Sequence, residues 1–187
     1  MTTNAPLNPL HLQDIRWYTA SSIMLIAFTI LGLCLIASRH HCPTINTYEV
    51  RGQSLGESVP NGTTVSVSAP SCEGIKHGAL VVFNTTADQK APVIKRAVAI
   101  PGDTFSVSDD GSITVGGAQA TTADGSLYRL SSHGIAMIRL YENDYHGIIP
   151  SGSYLLLGDI PQGALDSSRL GLISASMITG VVTSVKK

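Results

Sequence analysis

Charge is scarce in this chain and clusters nowhere. Lys and Arg number 12 against 13 Asp and Glu in 187 residues, scattered along the sequence, so no basic face exists for a nucleic acid. Aromatic residues are few, and there is neither an internal repeat nor a low-complexity tract. Metal-ligand spacing is also missing. His40-His41-Cys42 comes nearest, but the two histidines are adjacent and no second cluster accompanies them, so the tract reads as polar residues flanking a membrane. With only three cysteines, Cys34 falls in an apolar run, and Cys42 and Cys72 either form a disulfide or stay as free thiols.

What is present divides into an appendage and a domain. Thr19 to Ala37 carries no charged residue and is about as long as a bilayer is thick. Trp17 and Tyr18 before it suit a membrane interface. A cleaved signal peptide has a shorter apolar core, and a buried helix is rarely apolar all round. The sequence therefore predicts a polar tail over 1–18, one transmembrane helix over 19–38 and a soluble domain over 43–187. Arg16 and Arg39 stand one on each side of the span, so charge alone leaves its orientation open.

The domain reads as mainly β. Frequent glycine and short runs of Val, Ile and Thr predict strands at Tyr48–Arg51, Thr63–Val67, Ala79–Phe83, Val93–Ile100, Ala136–Leu140, Ser153–Leu157 and Ile178–Val185. Thr104–Val107 and Ser112–Val115 flank the turn Asp109-Asp-Gly111 and predict a hairpin. Residues 68–76, 116–134 and 158–171 read as loops.

One residue sits badly in this pattern. At a period of two, Lys95 shares a strand face with Val93, Ala97 and Ala99. Either that face is wet and the strand is an edge, or the amine is desolvated and available as a general base. A lysine base needs a nucleophile. Ser54 and Ser58 both lie in the Gly-rich stretch Gly52–Gly62, where a turn exposes a hydroxyl and frees backbone N–H groups for an oxyanion.

These segments together resemble type I signal peptidases. Val50-Arg-Gly-Gln-Ser-Leu55 is similar to that family's nucleophile box, and His77-Gly-Ala-Leu-Val-Val-Phe83 to its following strand. Ile94-Lys-Arg-Ala-Val-Ala-Ile-Pro-Gly-Asp103 resembles its lysine box. Tyr154-Leu-Leu-Leu-Gly-Asp159 and Asp166-Ser-Ser-Arg-Leu-Gly171 resemble the pieces of its last box. The four boxes come in the family's order behind one anchor. The resemblance implies a compact β-domain outside the inner membrane with the N-terminus in the cytoplasm. It implies Ser54 as nucleophile, the Ser54 N–H in the oxyanion hole, Lys95 as base, and no cofactor. The substrates it implies are exported precursor proteins with small residues before the cut. Asp103, Asp159 and Asp166 are then expected to shape turns and ion pairs.

The departures are specific. Leu55 replaces the usual Met, and Glu57-Ser58 stands where the family has Pro-Thr. Ala164 replaces the serine that orients the lysine, and Ser168 takes the place of an arginine, with Arg169 one position late. They point to a divergent, dedicated processing enzyme. In a second register, Ser58-Val-Pro-Asn-Gly62 resembles the box of conjugative-transfer peptidases that mature pilins, with Ser58 as nucleophile. Two other classes stay open: an inactive homologue acting as a membrane-bound assembly subunit, and a self-cleaving repressor-type switch. The membrane span and the lack of a DNA-binding helix pair argue against the switch.

Overall fold

The computed structural model describes residues 42–85, 92–160 and 163–186, together with Met24. The predicted tail and, apart from Met24, the predicted span lie outside the described residues. Among the described residues, no helix is long and apolar enough to cross a membrane.

Cys42–Lys187 forms one compact unit, and it is mainly β. Seven strands form the larger sheet: β1 (Thr44–Glu49), β2 (Thr64–Ser68), β3 (Leu80–Phe83), β4 (Val93–Ala99), β8 (Ser153–Leu157), β9 (Ile173–Ser174) and β10 (Ile178–Lys186). Their order is β1-β2-β10-β3-β4-β8-β9, and every pairing is antiparallel. β5 (Phe105–Val107), β6 (Ile113–Val115) and β7 (Ala118–Gln119) form a second, smaller sheet. The predicted hairpin is its β5–β6 pair, with Val107 opposite Ile113.

β4 lies inside the large sheet, between β3 and β8, so the edge-strand reading of Lys95 is overturned. Lys95, Ala97 and Ala99 are buried on one face, as the period of two requires, and Lys95 stands opposite the fully buried Val81.

The strand predicted at Ala136–Leu140 is instead part of helix α2 (Ser132–Asp144). A five-residue apolar window does not distinguish the two states; the longer pattern does. Gly134, Ile138 and Tyr141 recur at helical spacing, and the Ser131 side chain caps the start by accepting from the Gly134 N–H. Gly134 has a packing reason: a Cβ there would stand 3.1 Å from Ser168 Cβ and 3.2 Å from Leu130 Cβ. The loops predicted over 68–76 and 158–171 contain the one-turn helices α1 (Pro70–Glu73) and α3 (Ser167–Leu170). The loop predicted over 116–134 contains β7, the start of α2 and the buried Tyr128 and Leu130.

Cys42 and Cys72 form a disulfide across a sequence separation of 30, tying the chain just before β1 to α1. β1 is an edge strand, exposed along nearly its whole length, so it contributes little buried surface of its own. Closing a loop of this size removes entropy from the unfolded chain worth roughly 3–4 kcal/mol. The double variant Cys42→Ser/Cys72→Ser is expected to lose stability of that order in urea unfolding.

Candidate functional site

The Ser54 turn is fixed from both ends. Beyond β1, the Val50 N–H donates to Thr63 O (2.8 Å) and the Gly62 N–H to Val50 O (2.8 Å), extending the β1–β2 ladder. The chain then turns at Gly52, which takes φ 107, a value open to glycine, and its N–H donates to Asn61 Oδ1. Immediately after Ser54, Leu55 inserts into the core, and Val59 follows it in beyond the 3₁₀ turn Gly56–Ser58. Ser54 therefore stands between two buried anchors.

A third support comes from the chain after β8. The Ile160 N–H donates to Ser54 O (2.9 Å). Gly158 lies so close that a Cβ would stand 2.7 Å from Ser54 O and 3.3 Å from Ala164 Cβ. The Ser54 N–H donates to no acceptor among the described residues.

Lys95 reaches this turn from β4. Its Nζ lies 2.7 Å from Ser54 Oγ and 3.0 Å from Ile94 O, and the residue is 4% exposed. Burial pushes the amine below its ordinary value of 10.5, opposed by the charges of Asp166 and Asp159. Neither carboxylate pairs with the amine, because each is engaged elsewhere. Asp166 caps α3: it accepts from the Gly158 N–H (2.9 Å), the Ser168 N–H (3.0 Å) and Ser168 Oγ (2.6 Å). Asp159 receives Arg96 in a two-pronged ion pair, Nε to Oδ1 at 2.8 Å and Nη2 to Oδ2 at 2.7 Å. The Tyr128 hydroxyl donates to Asp159 Oδ1 (3.2 Å). Burial works to raise the Asp159 carboxyl, but the Arg96 and Ser58 hydrogen bonds, the Arg96 charge and Tyr128 outweigh it and hold it below the usual range.

The structure separates the two loop serines. Ser58 Oγ lies 2.6 Å from Leu55 O and 2.9 Å from Asp159 Oδ2, and accepts from Arg96 Nη2 (3.1 Å). Its hydroxyl thus joins the Ser54 turn to the Arg96–Asp159 pair, whereas the hydroxyl bonded to Lys95 is that of Ser54. Ala164 is buried in the wall beside the pair and brings no hydroxyl. Ser168 bonds Asp166, and Arg169 is exposed, with no ion pair among the described residues. Asp103 accepts from the Ile100 N–H in the turn after β4 and contacts His77. The three aspartates thus shape turns and pair with neighbours, as expected. Sequence reasoning did not single out Asn61, Gly158 or Tyr128.

Ser54 and Lys95 open onto a groove of about 770 Å³. Residues 47–55 line one wall, residues 92–95 another, and Ile160 and Gly163–Leu165 the remainder. β4 pairs with β8 only from Arg96 onward, and β1 is the outermost strand, so the groove lies along two unpaired strand edges. An extended peptide can add to such edges through main-chain hydrogen bonds. Chemically, the arrangement offers a hydroxyl, an amine of lowered basicity, a backbone N–H without an acceptor among the described residues, and a slot for an extended chain.

The family model of signal peptidases, described as "Signal peptidase, peptidase S26", matches residues 20–186. The chain belongs to this family. Among its curated relatives, signal peptidase IB of Staphylococcus aureus strain COL is 23% identical over 180 residues, covering 91% of this chain and 88% of its own. The same enzyme of strain Mu50 is 23% identical over 178 residues, covering 90% and 87%. A solved signal peptidase I from Enterococcus faecalis V583 aligns with 58% of this chain and 96% of its own at 17% identity, with a TM-score of 0.38. Ala164 and Ser168 stand in this chain at the two positions of the last box where its sequence departs from the pattern it resembles.

The lysine sets a pH signature on stability. The folded amine has the lower pKa, so between the folded value and 10.5 the unfolded chain binds more protons, and stability rises with pH. At or below the folded pKa the buried charge destabilises the fold most. Lys95→Met removes that burden while keeping the volume. The variant is expected to melt several degrees above the wild type near neutral pH, and the gap is expected to close as the pH approaches 10.5.

Proposed function

We propose that the protein is a membrane-anchored serine endopeptidase that removes leader peptides from exported precursor proteins, with Ser54 as nucleophile and Lys95 as general base. The observation that carries this reading is the 2.7 Å contact between Lys95 Nζ and Ser54 Oγ, made by a buried amine at the floor of a peptide-sized groove.

The substrate lies extended in the groove with its scissile carbonyl at Ser54. Neutral Lys95 takes the hydroxyl proton as Ser54 Oγ attacks the carbonyl carbon. The oxyanion gathers at the Ser54 N–H. The lysine ammonium then gives its proton to the departing amine, leaving an acyl-enzyme ester on Ser54. Lys95, neutral again, takes a proton from a water as it attacks the ester; the ammonium then returns a proton to Ser54 Oγ as the acid product leaves. No step calls for a cofactor or metal.

The predicted helix over 19–38 anchors the peptidase domain to the inner membrane from outside, with the tail in the cytoplasm. The Cys42–Cys72 disulfide supports an oxidising compartment for that domain. The departures at Glu57-Ser58, Ala164 and Ser168 favour a dedicated substrate, and a pro-pilin of a conjugation system is the one the second register suggests. Ser58 is disfavoured as nucleophile in that register, because its hydroxyl is committed to the Arg96–Asp159 pair.

Mass spectrometry of a pro-pilin co-expressed with each variant tests the assignment. Ser54→Ala and Lys95→Ala are expected to lower processing by about a thousandfold or more. Ser58→Ala is expected to lower it about tenfold or less, the scale of one hydrogen bond. Full processing by Lys95→Ala contradicts the dyad. A wild type that leaves every exported precursor intact favours the inactive assembly subunit. The product mass separates hydrolysis from cyclisation, since a ring closed by the substrate's own amine is lighter than the cut chain by one water.

A further inference from the structure

Tyr128 comes from the segment 116–134, outside all four boxes that carry the family resemblance. Its ring is fully buried in the core beneath the small sheet, packed with Phe105, Ile113, Ile138 and Leu155. A buried tyrosine hydroxyl needs one partner. Here the partner is Asp159, at 3.2 Å. Burial, with the Asp159 charge adding to it, pushes the phenol above its ordinary value, so it stays a donor throughout the working pH range.

Asp159 sits between two residues that touch the nucleophile. Gly158 packs on the Ser54 carbonyl, and the Ile160 N–H bonds to it. The same carboxylate holds Arg96, the neighbour of Lys95, and Ser58, on the Ser54 turn. We propose that Tyr128 is a positioning residue of the dyad: its hydroxyl fixes Asp159, and with it the Gly158–Ile160 segment behind Ser54, and tempers the negative charge that faces Lys95. The small sheet and α2 thereby act on the dyad through one phenol. The inference rests on the Ser54–Lys95 reading.

Among the described residues, the charges acting on Lys95 are those of Asp166 at the start of α3 and Asp159 after β8; the adjacent Arg96 is turned to Asp159, and Glu49 and Arg51 line the same groove. Removing the phenolic O–H leaves the Asp159 charge less tempered. Lys95 then holds its proton to higher pH, and the acid limb of the activity profile moves in the alkaline direction.

The test measures kcat, KM and the pH profile of kcat/KM for Tyr128→Phe beside Ile113→Val, which perturbs the same core without touching a polar atom. Tyr128→Phe is expected to lower kcat about tenfold, the scale of one hydrogen bond to a charged group. KM is expected to stay within about twofold, with an alkaline shift of the acid limb. Ile113→Val is expected to change melting temperature only. A Tyr128→Phe enzyme with wild-type kcat and acid limb, or with changes matched by Ile113→Val, overturns the proposal. If Tyr128→Phe does not fold, Asp159→Asn keeps an acceptor for the hydroxyl but removes the charge that the hydroxyl tempers. It is expected to move the limb to lower pH, and an unmoved limb overturns the proposal. If Ser54→Ala keeps full activity, the dyad reading itself has failed. If Ser54→Ala is inactive while Tyr128→Phe matches the wild type, only the role of Tyr128 is lost.

Discussion

Lys95 and Ser54 meet at 2.7 Å inside a fold that keeps water from the amine. A charged lysine could take no proton from serine, so the site works only if burial outweighs the pull of nearby carboxylates. Two such carboxylates, Asp159 and Asp166, are close enough to act on it. What keeps them from pairing with the lysine is the rest of the local structure. Asp166 is consumed in capping α3 and holding the Gly158 N–H, and Asp159 in binding Arg96, Ser58 and Tyr128. Each aspartate thus serves the proposed chemistry by being satisfied elsewhere.

The same contacts set the geometry. A side chain on a loop is usually placed imprecisely, because loops hold their shape weakly. Here Leu55 and Val59 are core residues, and Gly158 and Ile160 close against the Ser54 carbonyl. The turn is in effect part of the core, and the groove in front of it is formed by strand edges the sheet leaves unpaired. Ala164 stands in the groove wall and brings no hydroxyl to the lysine. The Ile94 carbonyl, 3.0 Å from Nζ, supplies a hydrogen-bond partner that no side-chain substitution can delete.

Much of this was legible in the sequence for reasons of period. Alternation placed Lys95 on the face of Ala97 and Ala99, and the Asp-Asp-Gly turn marked the hairpin. The boxes marked Ser54 and Lys95, 41 positions apart, as residues to be brought together. The illegible parts depend on contacts far apart in sequence. α2 hid behind a short apolar window until Ser131 and Gly134 were seen as its cap and its packing surface. Tyr128 sits in a polar stretch whose burial comes from the small sheet and α2 folding over it. Ser54 and Ser58 look alike in a Gly-rich loop, and they are told apart by distant partners, Lys95 for Ser54 and Asp159, 101 positions away, for Ser58. The disulfide was one of two open readings, because nothing local shows that Cys42 and Cys72 approach.

The most direct test of the account is the protonation of Lys95 itself. In protein labelled with ¹⁵N-lysine, the Nζ resonance missing from Lys95→Met identifies the residue, and its shift can be followed against pH. The account predicts a midpoint below the ordinary lysine value of 10.5, with the acid limb of kcat/KM for peptide cleavage at the same pH. A Lys95 that titrates at or above 10.5 would leave Ser54 without a base and would contradict the mechanism.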